Sequence, residues 1–201
     1  MNNNYTYIIA SIPALKPDFK PEGGSVKSTV EWIVSQLEGK DAEAAQTLIK
    51  GRDPSGPDAD FYKGVFSGRN AFLKEYFGAD LRLRNAKVRH INAALSRPAE
   101  MDTVQVDGAP KGDDAGKLET IFKETDLLKR ERDIDDFMWN TADSLTLFKY
   151  FTLDNVLAIM AKLLIIERWL ALDPEQGRAL LRNLVTDVRG TYGKIEFNNI
   201  G

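Results

Sequence analysis

The chain has 201 residues, 27 Lys plus Arg against 30 Asp plus Glu, one His and no Cys, for a formal charge of −3. That length suits one globular unit, and the acidic balance argues against whole-molecule attraction to nucleic acid or anionic lipid. Without cysteine there is no disulfide, thiolate zinc site, iron–sulfur cluster or cysteine nucleophile, and with His90 as the only imidazole, multi-histidine metal sites and most His-relayed hydrolases are excluded.

Residues 1–7 carry no Lys or Arg, and the apolar stretch 7–12 stops at Pro13, so no secretory signal is expected. Residues 5–12 suit a short strand or an opening helical turn equally well. Pro13, Pro17, Pro21 and Gly23-Gly24 then make an irregular connection. Ser28 with Glu31 three residues on forms a capping-box pattern, which predicts a helix over 26–38 ending at Gly39. Asp41 is the expected N-cap of a second helix through Lys50, and residues 51–57 break the pattern.

Helical spacing resumes at Asp58, with Phe61, Val65, Phe66, Phe72, Leu73, Tyr76 and Phe77 mostly at three- and four-residue steps and a possible relaxation at Gly68. Asp80 is expected to open a segment to Ser96, with Leu81, Val88, Ile91 and Leu95 on one side, closed by Arg97-Pro98. Residues 102–116, rich in Gly, Pro and Asp, read as an exposed loop. Helices follow at 114–131, 133–149 and 153–171, and a last one is expected from the Asp173 cap and Pro174 to Arg189-Gly190. The apolar segment 156–172 is broken by Lys162 and Glu167-Arg168, too often for a membrane span. No alternating strand pattern occurs, so the fold class is mainly α, in one compact domain. It divides into an N-terminal segment 1–57, a helical unit 58–101, the loop 102–116 and a second helical unit 117–201. Cytoplasmic residence is the default.

Two stretches echo each other: Tyr76-Phe77-x-x-Asp80 and Tyr150-Phe151-x-x-Asp154, each followed by a helix with a central lysine, Lys87 and Lys162. The physical reading is a helical hairpin used twice, with Tyr-Phe packing at the end of one helix and Asp capping the next. Two capped hairpins of independent origin would look similar.

Arg82, Arg84, Asn85, Lys87 and Arg89 form a basic run with His90 beside it. It could grip phosphates or an acidic protein surface, or be a solvated face opposite Leu81, Val88 and Leu95. The solvated face is preferred over nucleic acid, because no aromatic platform is interleaved. Asp126, Glu131, Asp133, Asp135 and Asp136 could hold a divalent cation or supply an acid/base pair, as in a metal-dependent hydrolase. A helix start favoured by its dipole, near Asp133, accounts for them better. His90 suits a half-buried helix position, and Trp32, Trp139 and Trp169 suit core or interface anchors. Neither a P-loop nor a Gly-x-Ser-x-Gly elbow is present. No catalytic residue, metal or cofactor is expected, and the chain reads as no enzyme.

Three stretches together carry a family resemblance: Tyr5-Thr-Tyr-Ile-Ile-Ala-Ser-Ile-Pro-Ala-Leu15, Glu75-Tyr-Phe-x-x-Asp80-Leu-Arg-Leu-Arg-Asn85-Ala-Lys87 with its continuation to Arg97, and Phe148-x-Tyr-Phe-x-x-Asp154 with Lys162 and Glu167-Arg-Trp169. They resemble a family catalogued as domain of unknown function 2764, encoded beside V-type (vacuolar/archaeal-type) ATP synthase subunits in some bacteria. The second stretch also resembles the C-type subunit of that machine, known as the d-type in eukaryotes. There, one helix opens with an acidic residue followed by Asn and a base, the places held here by Asp80, Asn85 and Lys87. The resemblance implies a two-unit helical array like part of the three-unit funnel that the C-type subunit forms. It also implies a non-catalytic role coupling the central stalk to the membrane rotor ring, with stalk subunits D and F and the ring as partners. The chain would lie on the inner face of the cell membrane without insertion. The missing third unit leaves an assembly factor as the alternative; a helical nucleic-acid-binding module is a further one.

Overall fold

The computed structural model describes residues 4–16, 25–53 and 56–171. They form eight helices and no strand: α1 (Tyr5–Ala10), α2 (Val26–Ser35), α3 (Gly39–Lys50), α4 (Ala59–Ser67), α5 (Ala71–Ala94), α6 (Ala115–Lys123), α7 (Leu127–Thr146) and α8 (Leu153–Ala171). The mainly α expectation holds, and residues 5–12 open as a helix. No described helix is long and apolar enough to cross a membrane. By its internal contacts the chain divides into Met1–Ile166 and Glu167–Gly201. Of the second unit, residues 167–171 are described; there the Arg168 guanidinium lies over the Trp169 ring. The helix expected over 173–189 lies outside the described residues.

Side-chain caps set the helix starts. Ser25, three residues before the expected box, accepts from Ser28 N and opens α2. Helix α3 starts at Gly39, two residues ahead of Asp41, which sits in the first turn and accepts a hydrogen bond from the Tyr5 hydroxyl of α1. Asp58 caps α4 through Phe61 N, and Asn70 caps α5 through Leu73 N. Asp126 holds Leu128 N and Lys129 N, so α7 begins there and the expected break near residue 132 is absent. Each such bond satisfies one N–H that the helix itself leaves orphaned.

Helix α5 touches α4, α6 and α7, and α6 also touches α7. Its first half is buried nearly all round: Phe72, Leu73, Tyr76, Phe77, Ala79, Asp80, Leu81 and Leu83. Phe72 stacks on Tyr76, and Phe77 meets Phe61 of α4 edge-on at 5.0 Å. The Phe77 ring rests on the backbone at the end of α3. A Cβ on Gly51 would lie 2.2 Å from that ring, so only glycine allows the approach. Helix α8 is also buried on most sides, from Val156 to Ile166. Lys162 of α8 pairs with Asp143 of α7 and lies over the Trp139 ring.

The two-hairpin reading is not what the structure builds. Tyr76-Phe77-x-x-Asp80 lies inside the unbroken α5, whereas Tyr150-Phe151-x-x-Asp154 forms the turn between α7 and α8. The chain breaks at residues 68–70 instead of Asp80, because Asn70 supplies the cap and Asp80 is bonded from within the bundle. At its other end α5 closes with Ser96 at φ +54, Ser96 N on Ala93 O and Arg97 N on Asn92 O. This is a Schellman arrangement with serine where glycine is usual.

Candidate functional site

The second half of α5 carries the basic run, and the structure turns most of it inward onto residues 97–114. That segment runs back along the helix as a strap. Asn92 Nδ2 donates to Ala99 O and Met101 O. The Asn85 amide, 8% exposed, brackets Val104, donating to its carbonyl at 2.8 Å and accepting from its N–H at 2.9 Å. Arg82 Nε meets both Asp114 carboxylate oxygens, at 3.0 and 2.9 Å, and its Nη1 donates to Pro110 O. Pro110 in turn packs against Gly78, where a Cβ would approach its ring to 3.0 Å. The loop read as an exposed excursion is therefore bonded to α5 along much of its length.

Arg89 forms a bidentate pair with Glu100, whose carboxyl is held below its usual range by that hydrogen bond. Arg84 Nε donates to Asp80 at 2.8 Å. Of the five candidate contact residues, Arg82, Arg84, Asn85 and Arg89 are thus engaged within the chain, and Lys87 projects into solvent with no ion pair among the described residues. The apolar side expected for this helix also leaves the core. Leu81 is buried, but Ile91 is 44% and Leu95 56% exposed. His90 is exposed, its ring 6.0 Å from Phe122 of α6. Together with Arg82 and Arg89 these two rings line a groove of about 460 Å³ between α5 and α6.

Beneath this surface lies a polar cluster that the sequence did not announce. The Asp80 carboxylate, 3% exposed, accepts from the Tyr62 hydroxyl at 2.6 Å as well as from Arg84. Asp135 of α7 is also buried and faces Arg52 at 3.8 Å. The Tyr76 hydroxyl is buried without a hydrogen bond among the described residues. Burial, then the Asp80 carboxylate, pushes the Tyr62 phenol above its ordinary range. Burial pushes Tyr76 up to about 12, with Arg52 opposing and Asp80 and Asp135 adding to the rise.

Both phenols stay protonated in the fold where an unfolded tyrosine ionises, at about pH 10. Stability is therefore complete below that pH and falls as the pH climbs toward the folded values, by about 1.4 kcal/mol per pH unit for each phenol. Tyr76→Phe should raise stability at neutral pH by about 1 kcal/mol, by removing a buried unpaired hydroxyl, and should make the alkaline decline shallower. Denaturant melts at pH 7 to 11.5 check both effects. A destabilised Tyr76→Phe protein would show that the hydroxyl has a partner worth keeping.

The acidic candidates are spread out. Asp126 caps α7, Asp133 lies 3.8 Å from Lys129, Asp135 is buried and Asp136 is exposed. Among the described residues no group of three or more His, Asp or Glu is placed to hold a metal ion. Trp139 is buried, and Trp32 and Trp169 are half-buried, with Trp32 edge-on to Tyr7.

The large exposed apolar feature is the turn between α7 and α8. Leu147 is 64%, Phe148 79%, Tyr150 72% and Phe151 53% exposed. Phe148 and Phe151 have φ of +63 and +55, a conformation that bulky residues rarely adopt. The turn is braced: Lys149 N donates to Thr146 O, Asn155 Nδ2 to Lys149 O, and Lys149 Nζ to Asp154 at 2.8 Å. Rigid, self-neutralised bonding thus holds four apolar side chains out in solvent. The sequence signal was the aromatic run itself, placed between Leu147 and the helix-starting Thr152, where it reads equally well as core.

Residues 112–191, less than half of the chain, match the family model described as protein of unknown function (DUF2764). The match supports the resemblance to that family and covers α6, α7, the aromatic turn and α8. Comparison with curated proteins and with solved structures gives no match.

Proposed function

We propose that the chain is a non-catalytic adaptor, a component of a V-type ATP synthase like its C-type subunit, that couples the central stalk to the membrane rotor ring. The observation that carries the adaptor role is the braced turn at residues 147–151, an arrangement of Phe, Tyr and Leu held ready for burial against a partner. Aromatic side chains fixed in advance are the usual anchors of protein interfaces, since little entropy is lost on docking. The V-type assignment comes from the sequence resemblance. A mainly helical body whose Arg82, Arg84 and Arg89 are engaged within the chain is consistent with transmitting torque. Stalk subunits D and F and the ring would be the partners, and the location peripheral to the inner face of the membrane.

The nucleic-acid alternative is less favoured, because phosphates would have to displace Asp114, Asp80 and Glu100 from Arg82, Arg84 and Arg89. The test is co-expression with D and F from the same genome, followed by sizing chromatography with mass detection. A stable ternary species is the expected result. Three folded proteins that elute separately would overturn the stalk contact. Association with assembling but not finished complexes would make the chain an assembly factor.

A further inference from the structure

The second half of α5 holds a surface distinct from the aromatic turn. Beyond Asn85, Asn92 is the one residue of this helix that is buried, held by the strap. The strap occupies the face of Asn85 and Asn92, and the face of Arg82, Ala86 and Arg89 looks onto α6. Lys87, Ile91 and Leu95 follow at four-residue steps on a third face, which lies away from both. Ile91 and Leu95 are exposed there, and Lys87 at one end and Arg97 beyond the other make no ion pair among the described residues. From Leu81 to Ala99 the sequence has Arg82, Arg84, Lys87, Arg89 and Arg97 and not one Asp or Glu. The face is therefore a cation followed by an apolar pair on a helix fixed in place by its strap, with a second exposed cation, Arg97, two residues beyond Leu95 where the strap begins.

We infer that this face docks a partner protein through an acidic amphipathic helix, its apolar side laid on Ile91 and Leu95 and its carboxylates facing Lys87 and Arg97. Charge decides the occupant. An apolar pair between two unneutralised bases favours a helix bearing Glu or Asp beside its hydrophobic stripe, and repels a basic one. Nucleic acid would use the bases but leave Ile91 and Leu95 wet.

The inference rests on the adaptor reading only for one of its baits. Because the chain has no cysteine, Ile91→Cys and Leu95→Cys each place a unique thiol on the face, and Glu43→Cys on the exposed side of α3 serves as a control. Each full-length variant, carrying a thiol-linked benzophenone, is irradiated with the purified D–F stalk complex and, separately, with extract of the source cells. The linked peptides are then sequenced. Positions 91 and 95 should both mark one acidic segment with apolar residues at helical spacing, and Lys87→Glu should cut that yield about tenfold without moving the control.

Links scattered like the control, a basic or uncharged segment, linkage to nucleic acid, a second copy of this chain, no link in either bait, or insensitivity to Lys87→Glu would each overturn the inference. An acidic segment found on a protein outside the rotary complex would keep the docking face and count against the adaptor reading. D or F linked through a basic segment would do the reverse.

Discussion

Replacing Asp80 with alanine should cost the fold about 3 kcal/mol. The carboxylate sits in the middle of α5 with almost no exposure and receives both the Tyr62 hydroxyl and Arg84 Nε. Arg84 is 41% exposed at its side chain and would turn to water, so its loss is small. Tyr62 is fully buried and could not do the same, leaving a hydroxyl without a partner in an aromatic core. Asp80→Asn keeps an acceptor for that hydroxyl and should cost roughly half as much. Tyr62→Phe combined with Asp80→Ala should cost less than the two single changes added together, because the orphan is gone. Urea melts of the parent, the three single variants and the double variant measure this directly. An Asp80→Ala variant within ~0.5 kcal/mol of the parent, the range of an ordinary surface change, would mean that the Tyr62–Asp80–Arg84 cluster does not tie α4 to α5.

Phe148→Gly should move stability and association in opposite directions. A side chain at φ +63 strains the backbone by about 1 kcal/mol relative to glycine, and a ring 79% exposed returns little of that through packing. The free protein should therefore melt higher. If the turn is the anchor, losing the ring should weaken stalk binding about 30-fold, the equivalent of ~2 kcal/mol at a hot spot. Adding Phe151→Gly should take the loss past about a hundredfold. Thermal melts and titration calorimetry against the D–F complex separate the two effects. Unchanged affinity would remove the turn from the interface, and a lower melting temperature would show that the aromatic rings support the fold.

Most helices were legible because they rest on local rules. Polar caps and apolar spacing located α2, α3, the start of α4 and α8 to within a few residues. Two of the misses come from competition with distant partners, and two have other causes. Asp80 reads as a helix opener from its neighbours, yet Tyr62, eighteen residues earlier, claims its carboxylate. Arg82 and Arg89 look like a free basic face because Asp114 and Glu100 lie beyond the helix, where no periodicity points to them. Asp126 and Asp133 compete as caps for one break, and the N–H groups of Leu128 and Lys129 decide for Asp126. Ile91 and Leu95 continue the apolar spacing of Leu81 and Val88, so pattern alone assigns them to the core. Exposure depends on how far α5 outruns its neighbours, which spacing does not encode.

The strap is gripped largely through its main chain. Asn85 and Asn92 bond to the peptide groups of Ala99, Met101 and Val104, and Arg82 adds the carbonyl of Pro110. Between Val104 and Pro110, where the grip is on peptide groups, the exposed side chains are passengers. Gln105, Asp107 and Gly108 are all exposed, and Gly108 turns at φ +77 with open space around it. That turn is consequently a natural splice point, where an epitope or a reporter peptide can be carried on a rigid mount without disturbing the helices beneath.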